Sequence, residues 1–110
     1  MGNNGWRIMW VMAVYDCPMQ TPEQRHDYAV FHKRLLREDF KQHQLSVYLR
    51  HCPTLANAEA LVERLRGDVP PSARVSFFFL TDKQYGMTRE FVGYDYGKSL
   101  PEEPEQFELF

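Results

Sequence analysis

"IMWVMAVYDCP", Ile8 to Pro18, is the stretch that decides the fold. Eight apolar or aromatic residues, Ile8–Tyr15, run unbroken into Asp16, and a proline follows two residues later. The run is rich in aromatic and β-branched residues and too short for a buried helix, so it reads as a strand. Apolar on both faces, it belongs in the middle of a sheet rather than at its edge. Asp16 stands where the strand stops. A carboxylate there either opens an Asx-type turn or is presented as a ligand for a hard cation such as magnesium. One carboxylate alone is a poor metal site; two copies brought together by a two-fold axis make a better one.

Working outward, "DCPMQTP" (Asp16–Pro22) is a loop. Thr21 serves as N-cap, Pro22 takes the first helical position and Glu23 lies in the first turn. The helix runs to about Asp39, with Tyr28, Phe31, Leu35 and Leu36 as its buried stripe. Arg25, Lys33, Arg34 and Arg37 lie away from that stripe. "KQHQLSVYLR" (Lys41–Arg50) alternates as a strand: Gln42, Gln44, Ser46, Tyr48 and Arg50 point one way, His43, Leu45, Val47 and Leu49 the other. A tight break inside it stays open. Cys52-Pro53 ends it. Thr54 caps a second helix with the stripe Ala58, Leu61, Val62, Leu65, and Gly67 stops it. "RVSFFFLT" (Arg74–Thr81) reads as another buried strand, "DKQYGM" (Asp82–Met87) as a short turn or one helical turn, and "TREFVGY" (Thr88–Tyr94) as a shorter strand.

This order, with two helices covering one face of a small antiparallel sheet, is an α+β, ferredoxin-like arrangement. Residues 1–94 form that domain. Residues 95–110 are an acidic, proline-bearing tail ending in "QFELF", whose apolar alternation suits an added strand or docking on a partner. The fold leaves one sheet face open. Gln44, Ser46 and Tyr48, or their opposite-face neighbours, must face something, and a second copy of the sheet is the economical cover.

Bulk properties narrow the function classes. One hundred and ten residues fit one domain, 44% hydrophobic and 25% charged. The net charge of −2 carries no global nucleic-acid signal, but its distribution does. Residues 1–66 hold nine Lys/Arg against seven Asp/Glu, and residues 67–110 hold four against eight. The four histidines, His26, His32, His43 and His51, fall among the basic residues of the first half, which can therefore present a basic face to phosphates. Individually they read as solvated or satisfied side chains, and His26 and His32 are wrongly spaced for a helical zinc pair. Cys17 and Cys52 form neither a disulfide framework nor a zinc site; free thiols in a reducing, cytoplasmic setting are expected. Cys17 has no positioned base, so a nucleophile reading is weak. Phe77–Phe79, Trp6 and Trp10 read as core or interface rather than as stacking platforms. No membrane association is expected.

"VYDCP" ending the first strand, a basic helix, "QHQLSVYLR" and a helix with "ERLRG" together resemble the small CRISPR-associated adaptation proteins, the Cas-two family. "HQLSVY" (His43–Tyr48) is similar to that family's Gln-x-Ser-Val-aromatic signature, and "TDKQYG" (Thr81–Gly86) to the matching segment of type II systems. The resemblance covers about Ile8 to Tyr94; residues 1–7 extend beyond the family's usual start. It implies a βαββαβ domain, a homodimer in which a late C-terminal strand pairs with the partner subunit, and a bent strand or tight hairpin at "FKQHQLSVYLRHC". It implies that Asp16 is the catalytic and metal-binding carboxylate, with Mg2+, or Mn2+ in its place, cleaving RNA or duplex DNA. It further implies a role in spacer acquisition, bridging dimers of the integrase subunit and holding prespacer DNA. Arg25, Lys33, Arg34, Arg37, Lys41 and Arg50 are then the candidate nucleic-acid contacts, and Tyr15, Gln44, Ser46 and Tyr48 the supporting or interface residues. With no second acid beside Asp16 on its strand and no clear histidine base, a DNA-bridging adaptor with a conditional nuclease centre is favoured. The alternatives are a toxin-like metal-dependent RNase and a non-catalytic ferredoxin-like interaction module.

Overall fold

The computed structural model describes residues 8–98. Strand β1 (Met9–Asp16) leads to α1 (Pro22–Arg37), β2 (Lys41–Gln44), β3 (Val47–Cys52), α2 (Leu55–Arg66), β4 (Arg74–Thr81), the short α3 (Asp82–Gly86) and a 3-10 turn at Tyr96–Lys98. The four strands form one antiparallel sheet in the order β2-β3-β1-β4. β1 is central, as its two-sided apolarity predicts. The α+β, ferredoxin-like arrangement is present.

Burial alternates along β1. Met9, Val11, Ala13 and Tyr15 pack under the helices with Phe31, Leu35, Ala58, Leu61 and Leu65. Trp10, Met12, Val14 and Asp16 face the other way, as strand alternation requires. Both helix starts match their sequence signals. The Thr21 hydroxyl accepts from the Gln24 N–H, whose own side chain accepts from the Thr21 N–H, closing a capping box; the Thr54 hydroxyl accepts from the Asn57 N–H. Leu36 departs from the expected stripe and is exposed, while His32 is buried in its stead. Its Nδ1 lies 2.8 Å from the Tyr48 hydroxyl, so the one buried polar side chain of the described core is satisfied.

The alternating "KQHQLSVYLR" is a hairpin rather than one strand. Leu45 and Ser46 form its turn, and a register shift falls between Gln42 and Gln44. Among the described residues Asp39 is the one non-glycine with positive φ, at 67°, so this turn is not of the I′ or II′ kind whose twist matches that of the flanking strands, and the irregular register lies beside it. The Ser46 carbonyl accepts the Tyr15 N–H at 2.9 Å, and the Leu45 carbonyl accepts from the Tyr28 hydroxyl and the Gln42 side chain.

Two expectations are corrected. β4 forms over the expected residues but is not buried: it is the sheet's edge, and Phe78 is 47% exposed. "TREFVGY" forms no strand; Thr88–Gly93 is irregular, and Phe91, Val92 and Tyr94 are exposed. Among the described residues the segment pairs with no strand and is tied to β2 by a side chain instead, Glu90 lying 3.4 Å from His43. "QFELF" lies outside the described residues.

Candidate nucleic-acid and metal site on the open sheet face

The face away from the helices is built by cross-strand rows. Trp10 sits between His51 and Leu80, Met12 between Leu49 and Phe78, Val14 between Val47 and Ser76. Asp16 ends the series opposite Arg74. The result is an apolar surface closed at one end by an exposed carboxylate and a guanidinium. Sequence reasoning passed over Arg74, because only the register of β4 puts it beside Asp16.

Asp16 makes no hydrogen bond or ion pair to another described residue, which leaves its oxygens available. Magnesium is held by one or two carboxylates together with waters, and Asp16 offers one. No group of three or more His, Cys, Asp or Glu side chains that could hold a metal occurs among the described residues. The donor set therefore fits a hard, heavily hydrated cation supplied with a second carboxylate from elsewhere, and does not fit zinc.

Just behind Asp16, Cys17 lies within 3.7 Å of the Ser72 hydroxyl, which donates to the Asp27 carboxylate at 3.0 Å. The Tyr15 hydroxyl donates to the Asp27 carbonyl, and burial pushes the Tyr15 phenol pKa far up. These contacts tie the end of β1 to α1 and to the turn before β4. Tyr15 and Tyr48 are both core residues on the helix side, so they brace the strand ends from within. It is Val47 and Leu49, the opposite-face neighbours of Ser46 and Tyr48, that lie on the open-face side of β3, Val47 partly exposed and Leu49 buried. Gln44 is exposed at the hairpin end of β2.

The six basic candidates divide. Lys33, Arg37 and Lys41 are exposed and form no ion pair among the described residues. Arg34 is engaged: it binds Asp68 at 2.7 Å and Glu38 at 2.8 Å. Arg64 reaches the same Glu38 carboxylate at 3.0 Å. These two guanidinium groups hold the Glu38 carboxyl at a pKa of about 2, the Arg64 hydrogen bond contributing most. Arg50 donates to the Glu38 carbonyl, and Arg25 donates to the carbonyls of Met19 and Gln20 in the β1–α1 loop. Arg64 and Glu38 were not singled out from sequence, although the Arg34–Glu38 spacing of four on a helix was a visible signal.

A family model described as CRISPR associated protein Cas2 matches residues 9–88, which contain the whole described sheet and both long helices. The chain belongs to the Cas2 family. A relative from Parvibaculum lavamentivorans is 42% identical over 104 residues, covering 93% of this chain and all of the relative, and is named CRISPR-associated endoribonuclease Cas2. A Flavobacterium psychrophilum protein of the same name is 34% identical over 110 residues, covering 97% and 92% of the two chains. Among solved Cas2 structures, that of Streptococcus pyogenes Cas2 superposes with a TM-score of 0.53 at 25% identity, covering 76% of this chain and 99% of the other. Among the described residues no helix is long and apolar enough to cross a membrane.

Proposed function

We propose that this Cas2-family chain is a homodimeric CRISPR adaptation subunit that grips nucleic-acid backbones, holds prespacer duplex DNA between dimers of the integrase, and carries a conditional phosphodiesterase centre at Asp16. One observation carries the reading: an apolar sheet face, which the described residues cover only at its Trp10 end, ends in an exposed carboxylate. Packing two such faces about a two-fold axis removes Met12, Val14 and Phe78 from water and brings the two Asp16 side chains toward one region. The exposed Thr88–Tyr94 segment, which makes no strand within the described chain and contacts β2 through Glu90 and His43, then pairs with the partner's β4 edge. Lys33 and Arg37, on the outer side of α1, contact phosphates without reading sequence, so affinity falls with salt.

The endoribonuclease name shared by the relatives favours hydrolysis as a second activity. Asp16 and its mate would hold Mg2+, or Mn2+, which when bound neutralises phosphate charge and lowers the pKa of an attached water. Arg74, opposite Asp16, adds positive charge for a phosphate oxygen. The Asp27–Ser72–Cys17 contacts fix the end of β1 so that Asp16 is presented in one place.

The test is a salt-dependent gel shift of duplex DNA by the full chain, with and without its integrase partner. Salt-sensitive binding that weakens when Lys33 and Arg37 are both replaced by Ala supports the proposal. Absence of duplex binding in both settings refutes it.

A further inference from the structure

A second feature of the open face lies at the other end of β1. A cavity of about 430 Å3 opens beside Trp10, six residues from Asp16, hence ~20 Å away at about 3.3 Å per strand residue. Its wall is aromatic and already fixed. The Trp10 indole N–H donates to the Asp82 carboxylate at 2.8 Å, the Tyr85 ring stacks on the indole at 4.1 Å, and His51 meets it edge-on at 5.0 Å. Leu49 contributes an apolar surface, and Lys41, its register partner on β2, brings an ammonium group that pairs with no carboxylate among the described residues. Asp39 stands at the same cavity, held at its left-handed backbone position where β2 begins.

Aromatic faces, the Lys41 ammonium, the Arg50 guanidinium that also donates to the Glu38 and His51 carbonyls, and one carboxylate converge on a volume within the range of small-molecule sites; they describe a ligand with a flat ring system, ring-bound N–H groups and an anionic group. We infer that this cavity binds a single nucleotide. The base lies along the Trp10–Tyr85–His51 wall, an exocyclic amino group donates to Asp39, and the phosphate rests on Lys41. Stacking by itself is tolerant of base identity, and the Asp39 carboxylate favours bases that carry an exocyclic amino group. The prefixed wall lowers the ordering cost of binding. α3 stands on the open face here, with Tyr85 over Trp10, so a second sheet packed on Met12 and Phe78 lies beside the cavity. The inference needs neither the Asp16 centre nor the dimer.

The test uses the full chain with Trp6→Phe, leaving Trp10 as the one tryptophan. Adenosine monophosphate is titrated in chelator-containing buffer while tryptophan emission is followed. A saturable change is expected. Lys41→Ala weakens it about tenfold, as do replacement of the nucleotide by adenosine or by inorganic phosphate, since each loses one half of the recognition. Lys41 is exposed, so that variant keeps the parent's circular dichroism. No saturable change, an unaltered affinity in Lys41→Ala, or phosphate binding as tightly as the nucleotide each overturns the inference. So does emission that follows protein concentration alone, which places a second copy in the cavity. A parallel duplex gel shift separates the two readings: duplex binding without a nucleotide response fails the cavity only, and the reverse fails the adaptor only.

Discussion

Glu38 joins three parts of the molecule, and its removal has a calculable consequence. Its carboxylate binds Arg34 from its own helix at 2.8 Å and Arg64 from α2 at 3.0 Å, while Arg34 continues to Asp68. The Glu38 side chain is only 16% exposed, but Arg64 is 52% exposed. The carboxyl pKa falls from an ordinary 4.5 to about 2, which at about 1.36 kcal/mol per unit corresponds to ~3 kcal/mol of native-state stabilisation before solvent screening. Screening at the exposed Arg64 reduces this to about 2 kcal/mol. Because the folded pKa is depressed, this stability is fully present above pH 4.5 and is lost as the pH falls toward 2. At about pH 3 less than half of it remains. Glu38→Gln keeps the shape and removes the charge. Urea unfolding at pH 7 should show it about 1–2 kcal/mol less stable than the parent, with the gap narrowing at about pH 3 and in 1 M salt. Glu63→Gln, at the exposed pair with Arg66, is the control and should change stability by less than about 0.5 kcal/mol. Equal urea midpoints for Glu38→Gln and parent at pH 7, or a gap that stays constant with pH and salt, would refute the reasoning.

Other outcomes follow from single contacts. Burial, and then the Lys33 charge, lower the His32 pKa; a neutral buried histidine costs stability as the pH falls through 6.5, so the parent should unfold at lower urea near pH 5.5 than near pH 7.5, and His32→Gln should flatten that slope. Tyr48→Phe strips the His32 partner and should cost about 1–3 kcal/mol in the same assay. Phe78→Glu places a charge on the proposed dimer face; sedimentation should shift from dimer to monomer with the circular dichroism unchanged, and a persistent dimer would place the interface elsewhere. Asp16→Asn should abolish any magnesium-dependent cleavage of RNA or DNA while leaving duplex binding intact, and cleavage at the parent's rate would locate the activity in another protein.

How far the fold was legible depended on whether a signal was local. Thr21, Pro22 and Thr54 mark helix starts through bonds to the next few residues, so their reading survives folding. The centrality of β1 followed from its two apolar faces. The alternation left a tight break open at Leu45–Ser46 without fixing it, because Leu45 is no turn former and Ser46 is a weak one; the turn is held by tertiary contacts from Tyr15 and Tyr28, and the family resemblance is what pointed to a hairpin. Leu36 and His32 exchanged places because periodicity counts apolarity, whereas the core found a histidine that Tyr48 satisfies. Asp16 was legible as a strand-end carboxylate. Arg74 beside it was not, since cross-strand register lies between segments and is invisible within either one.

The open face explains why β1 alternates as it does. The helix-side row could have sufficed for a one-sided sheet, with polar residues outward. Instead Trp10, Met12 and Val14 point away from the helices, and a charged residue appears only at Asp16. Apolar side chains in the middle of this face favour a flat, non-specific cover, while the two ends differ in chemistry. The Asp16 end carries a carboxylate that pairs with no other described residue and stands opposite Arg74, suited to a cation and a phosphodiester. The Trp10 end carries fixed rings beside Lys41, suited to a base and its phosphate. One strand thus separates, by ~20 Å, a place that acts on the nucleic-acid backbone from a place that holds a nucleotide. Substitutions in the middle, such as Phe78→Glu, should disturb assembly and leave the isolated cavity's nucleotide binding unchanged; loss of both together would mean that the cavity is completed by the second subunit.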